Sequence, residues 1–130
     1  MEAILPTDCG NAPRMITVGD FVINWAKHDT DALAELLTED ASWTILGHGT
    51  HTGAAAATDT APPIQPERVV VRTIVTHGRL ASCDGYLEAG TTRLDFSHVF
   101  RFAGATKTAK ITELRTYGLP PRRTVGRRSR

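Results

Sequence analysis

The chain has 130 residues, 41% of them hydrophobic and 22% charged, with a formal net charge of +1. This length suits one domain with a single core rather than two, and no apolar run approaches the ~20 residues of a membrane span. The opening MEAILPTDCG has an acid at position 2 and no basic stretch before an apolar core, which predicts a cytoplasmic protein, and Cys9 and Cys83, lacking motif spacing, read as reduced thiols rather than a disulfide or metal site.

Residues 1–11 read as a flexible arm. Asn11-Ala12-Pro13 is a helix start, with Asn able to cap orphan N–H groups and proline tolerated in the first turn. Met15, Val18, Val22 and Trp25 follow at helical spacing, and Phe21 widens the apolar stripe. The helix should end near Lys27, with Asp29 or Thr30 capping a second helix whose buried side is Leu33, Leu36 and Leu37 and whose end is Asp40. Ala41–Leu46 reads as a strand with Trp43 and Ile45 on one face. Gly47–Gly53 reads as a loop, and Ala54–Thr58 as a turn or two of helix cut short by Pro62, Pro63 and Pro66.

Four strand-like segments follow: Val69–Thr76, Leu80–Glu88, Arg93–Phe102 and Ala109–Tyr117. They are separated by His77-Gly78, Ala89-Gly90 and Ala103-Gly104-Ala105, turn signals that imply consecutive hairpins and an antiparallel meander. Helices ahead of such a meander give an α+β layer arrangement. The expected form is a cone-like, strongly curved antiparallel sheet whose N-terminal helices close an internal pocket. The domain runs from 12 to 118.

The last residues, 119–130, hold Arg122, Arg123, Arg127, Arg128 and Arg130 and no acid, leaving ten basic against fourteen acidic residues in the body. A basic segment rooted at Pro120-Pro121 without apolar periodicity reads as a disordered tail. It could meet a polyanion through phosphate charge alone, but without interleaved aromatic residues no specific nucleic-acid partner is expected.

The segments Phe21–Asp31 (FVINWAKHDTD), Leu37–Trp43 (LTEDASW), Ser97–Phe102 (SHVFRF) with Gly104, and Lys110–Tyr117 (KITELRTY) are the most distinctive. Together with the element order they resemble the nuclear transport factor 2-like superfamily, in particular its SnoaL-like and ketosteroid isomerase-like bacterial members. The likeness runs roughly from Pro13 to Gly118. It implies a conical sheet, an internal pocket and a homodimer, on a fold that hosts isomerases, cyclases, dehydratases and non-enzymatic modules alike. Ketosteroid isomerases use a carboxylate base with a tyrosine and a protonated aspartate as oxyanion donors. The matching positions here are Ile45, Phe21 and His98, which argues against that mechanism. The arginine–aspartate pairing of an epoxide hydrolase is also missing.

Period-2 alternation on Arg93–Phe102 places Leu94, Phe96, His98, Phe100 and Phe102 on one face. His98 in that apolar row has two readings: a core histidine bonded to a carbonyl or beside a hydroxyl, or a general acid/base on the pocket floor. Leu80, Ser82, Asp84 and Tyr86 share a face of the neighbouring strand. If that face lines the cup, Asp84 orients His98 and Tyr86 donates to a developing oxyanion. The other reading has Asp84-Gly85 as a bulge with its carboxylate in water. Phe21, Trp25, Trp43, Ile45, Phe96, Phe100 and Leu114 are the expected pocket lining. On the last strand Thr112, Leu114 and Thr116 alternate with Glu113, Arg115 and Tyr117. The family resemblance implies Leu114 inward and the second set convex, and a one-residue slip would turn that second set into the pocket instead. His48 and His51 lack a third metal ligand, although His48 is placed to cover the pocket entrance. Gly47-x-Gly49 is no phosphate loop.

Two functions follow. One is a SnoaL-like protein that works on a small hydrophobic molecule by isomerisation, cyclisation or dehydration, with no cofactor and no metal. The other is a non-catalytic ligand-binding or dimeric interaction module of the same fold.

Overall fold

The computed structural model describes residues 1–7 and 12–124. The predicted cap Asn11, Cys9 and the end of the tail lie outside the described residues. Three helices, α1 (Pro13–Lys27), α2 (Thr30–Leu36) and α3 (Ala55–Thr58), accompany strands β1 (Glu2–Ile4), β2 (Leu37–Ile45), β3 (Gly49–Thr52), β4 (Arg68–His77), β5 (Leu80–Ala89), β6 (Thr92–Phe102), β7 (Ile111–Gly118) and β8 (Arg122–Arg123). The architecture is α+β, a large curved and unclosed sheet covered on its inner face by the N-terminal helices.

The sheet order is β1-β4-β5-β6-β7-β2-β3, with β8 also on β6. From β4 to β7 it is the expected antiparallel meander. The hairpins turn through two residues each, at Gly78 (φ 59°) and Gly90 (φ 60°), left-handed positions that suit glycine. Two pairings are parallel, β1 on β4 and β2 on β7, so the sheet is mixed.

Curvature has a local cause. The β4–β5 register slips at Arg72, between Val71 and Thr73, and Gly85 faces the slip. A Cβ at Gly85 would collide with the carbonyl of Val70, so only glycine lets the strands close there. Further slips occur between Leu37 and Ser42 on β2 and at Thr112 on β7, which bulges opposite Arg101–Phe102 and so turns Ile111, not Thr112, inward. Helix α1 lies in the resulting hollow on β4 and β5, burying Val18, Phe21, Val22 and Trp25.

Several sequence expectations are corrected. Helix α2 stops at Leu36, because Leu37 is already extended (φ −106°, ψ 148°) and begins β2. Asp29 caps α2 as expected, accepting from the Ala32 N–H at 3.1 Å. Gly49–Thr52 is a strand, not part of a loop: it folds back on Ser42–Ile45, with Gly47 (φ 88°) in the turn. Within the supposed flexible arm, Glu2–Ile4 pairs with Arg68–Val70 and Glu2 meets Arg68 at 3.3 Å. That strand covers the otherwise open edge of β4.

The basic segment also starts inside the fold. Leu119 donates to the Asp95 carbonyl, and Arg122 and Arg123 pair with Arg93 and Thr92. Pro120 and Pro121 have no N–H to give β6, so the chain bulges away between these two contacts.

Candidate functional site

The side chains pointing into the cup from β6 are those the alternation predicts: Leu94, Phe96, His98, Phe100 and Phe102, all buried. Around them the depth of the cup is filled. Phe21 of α1 packs edge-on against Phe100, with ring centroids 5.2 Å apart, and 5.2 Å from Trp43 of β2. Trp25 stands edge-on to Phe96 at 5.1 Å and to His98 at 4.6 Å. Phe21, Trp43, Phe100 and Leu114 are sealed at 0–1% exposure.

A cavity of 420 Å³ remains above this floor. Its aromatic wall is Trp25 and Phe96, and Leu94 and Ile45 add aliphatic surface. The rim comes from three breaks in the chain: Leu46 and His48 from the β2–β3 turn, Thr60–Pro63 after α3, and Gly118–Pro121 between β7 and β8. Thr116 completes the wall. Of the predicted lining, Trp25, Ile45 and Phe96 reach the cavity. Phe21, Trp43, Phe100 and Leu114 do not; they are the packed floor beneath it.

His98 lies in that floor, fully buried. Its Nδ1 is 2.8 Å from the hydroxyl of Thr116, the residue directly opposite on β7. The Trp43 indole N–H donates to the same hydroxyl at 2.7 Å. His98 Nε2 has no hydrogen-bond partner among the described residues. Burial pushes its pKa down to about 3, so the imidazole is neutral at physiological pH.

The expected carboxylate–histidine unit is not assembled. Ala89 pairs with Thr92 across the hairpin, which sets Cys83 opposite His98 and Asp84 opposite Ser97. Asp84 is therefore on the convex face, exposed. Tyr86 is on that face too, its ring held 3.6 Å under the Arg93 guanidinium and 5.1 Å from that of Arg72. Leu80, Ser82, Asp84 and Tyr86 do share a face, but the opposite one carries Ala81, Cys83, Gly85 and Leu87 inward, the first three small enough to fit beneath α1. Burial drives the Cys83 thiol up to about 12, leaving it unreactive.

Sequence reasoning misses Thr116, Thr60 and both proline pairs as site residues. Thr116 is visible as an inward neighbour of Leu114. Pro62-Pro63 and Pro120-Pro121 carry a signal only as breakers, which mark where regular structure ends and not that the ends form a wall. The wall holds no Asp, Glu, Lys or Arg among the described residues, and no group of three or more metal-ligating side chains occurs there. A mainly apolar surface with two threonines, one histidine at the rim and no Asp, Glu, Lys or Arg suits a neutral ligand.

Solved structures with the same architecture decide the fold. An NTF-2 like protein of unknown function from Burkholderia xenovorans superposes with a TM-score of 0.68 at 18% identity, covering 88% of each chain. This chain has the nuclear transport factor 2-like fold. Other structures with this fold include LinA (TM-score 0.66, 15% identity, 89% of this chain and 90% of that one) and the epoxide hydrolase/cyclase-like enzyme SalBIII (0.63, 18%, 85% and 93%). No family model and no curated protein matches the sequence. The polar side chains bordering the hollow among the described residues are Thr116, Thr60 and His48.

Proposed function

We propose that this chain encloses one small, uncharged, largely apolar molecule, as a SnoaL-like pocket protein. The observation that carries this reading is the 420 Å³ cavity with Trp25 and Phe96 on its wall and no charged Asp, Glu, Lys or Arg side chain. Its volume falls within the range of small-molecule sites, and a charged ligand would lose its hydration there without a counter-charge.

The test is calorimetric titration with naphthalene and with naphthalene-2-sulfonate. Naphthalene should bind one-to-one, and the sulfonate roughly tenfold or more weaker. Ile45→Trp, which fills the cavity from its half-buried side, should abolish binding. Unsaturable binding, or binding untouched by Ile45→Trp, would defeat the proposal.

Proton-transfer chemistry (isomerisation, cyclisation or dehydration) is the second reading. It is supported by Thr116, which lines the cavity and whose hydroxyl touches His98 at 2.8 Å. That contact is a polar path from the wall to the imidazole, and it replaces the expected Asp84 and Tyr86. We also propose a homodimer through the convex face, where Val75, Leu80 and Tyr117 are 44–53% exposed; light scattering at micromolar concentration reads it directly.

A further inference from the structure

We propose that the Thr116 hydroxyl is the anchor of the cavity, donating a hydrogen bond to a single acceptor oxygen (ketone, ester or ether) on an otherwise apolar ligand. The inference rests on the pocket reading above and names the chemistry of what the pocket takes.

A hydroxyl has one hydrogen and two lone pairs. The Trp43 indole can only donate, so it occupies one lone pair of Thr116, at 2.7 Å. What remains depends on His98. If Nδ1 is bare, Thr116 gives it the hydroxyl hydrogen, and the proton on Nε2 becomes a buried donor with no partner. If Nδ1 carries the proton, it donates to Thr116 at 2.8 Å and Nε2 is left as an unused acceptor. Buried orphan donors are rarer in proteins than under-used acceptors, which favours the second state. Both lone pairs of Thr116 are then filled by ring N–H groups, and its hydrogen is the free valence.

That hydrogen has one useful direction. The rings of Trp43 and His98 take up two sides of the hydroxyl, and Thr116 itself lines the cavity. Two donors on one oxygen also polarise it, strengthening the outgoing O–H. The other wall hydroxyl, Thr60, is already committed to the Ala56 carbonyl at 2.8 Å. A ligand oxygen entering between Trp25 and Phe96 therefore has Thr116 as its deep donor.

Two shape-matched naphthalenes test this: 2-acetylnaphthalene, which carries a carbonyl oxygen, and 2-isopropenylnaphthalene, which has a CH₂ in its place. With Thr116→Val the ketone should lose about tenfold in affinity and the alkene almost nothing, and Thr116→Ser should restore the ketone. Should Thr116→Val fail to fold, the carbonyl stretch of the ketone bound to the unaltered protein separates the outcomes. A band shifted below its position in hexane supports the donor, and an unshifted band overturns it. Equal losses for ketone and alkene also overturn it while leaving the pocket intact. Failure of both molecules to bind overturns the pocket reading and this inference with it.

Discussion

The floor of the cup and its mouth are built from different kinds of sequence. Phe21, Trp43, His98, Phe100 and Leu114 form the floor, at 0–1% exposure, and each sits in the middle of a helix or strand. The mouth comes from Leu46, His48, Pro62-Pro63 and Leu119–Pro121, all at places where regular structure stops. The floor obeys hydrophobic periodicity because it must exclude water from every side. The mouth obeys steric rules of chain interruption, with proline pairs that cannot join the sheet. Stability is therefore concentrated in the floor and access in the mouth, and Trp25, Phe96 and Thr116, buried yet on the cavity wall, belong to both.

The sharpest way to break that separation is at its two ends. Trp43→Ala should cost about 3–5 kcal/mol in denaturant unfolding, since it empties a fully buried site. Leu119→Ala, at 60% exposure, should stay within about 0.5 kcal/mol while weakening naphthalene binding. A large stability loss at Leu119 would merge the two regions. Next comes the curvature of the sheet. Gly85→Ala should destabilise by about 2–3 kcal/mol, because its Cβ meets backbone that has no rotamer to escape into. A neutral result would show that the bend does not depend on that close approach.

Acid should attack the floor before the mouth. Unfolded His98 binds a proton below about pH 6.5, whereas folded His98 stays neutral down to about 3. Between those values the unfolded chain binds more protons, so this contribution is complete above pH 6.5 and is lost as pH falls. At pH 5 the loss is about 2 kcal/mol. Unfolding free energies at pH 7 and pH 5 should differ by about that much more in the unaltered protein than in His98→Leu. Equal slopes would mean that His98 has a charged state tolerated in the core.

The same contrast explains what can be read from the sequence. The inward row Leu94–Phe102 is legible because its face is apolar apart from His98, whereas on β7 the alternation holds for Leu114 and Thr116 but not for Thr112, which is the extra residue of a bulge that turns Ile111 inward instead. The inward face of β5 misleads because Leu80 and Tyr86 look more like core than Ala81, Cys83 and Gly85. Small residues mark that face because α1 lies close above it. Yet the hairpin carries the answer: a two-residue turn at Gly90-Thr91 pairs Ala89 with Thr92, and counting back sets Cys83, not Asp84, against His98. The strap Leu119–Pro121 is not legible at all. Its position depends on the Leu119 bond to Asp95 and on β8 returning to β6, and both are tertiary contacts.

The smallest expected effect probes the convex face. Asp84 is exposed, and Tyr86 is fixed between Arg72 and Arg93, with the sheet backbone between both residues and the cavity. The double variant Asp84→Asn/Tyr86→Phe keeps the aromatic ring under its guanidinium groups and removes one charge and one hydroxyl. Stability should change by less than about 0.5 kcal/mol, and naphthalene affinity should not move, because neither side chain touches the cavity wall. Asp84 does border a second, shallower hollow on the outer side, which shares Leu46, Phe96, Gly118 and Leu119 with the first. Those shared residues form the partition between the two faces. If the double variant shifts affinity by tenfold, the partition transmits what happens outside, and mouth and convex face act as one surface. If it does not, ligand choice is confined to the concave side, where Thr116 and the proline-built rim are the residues to change.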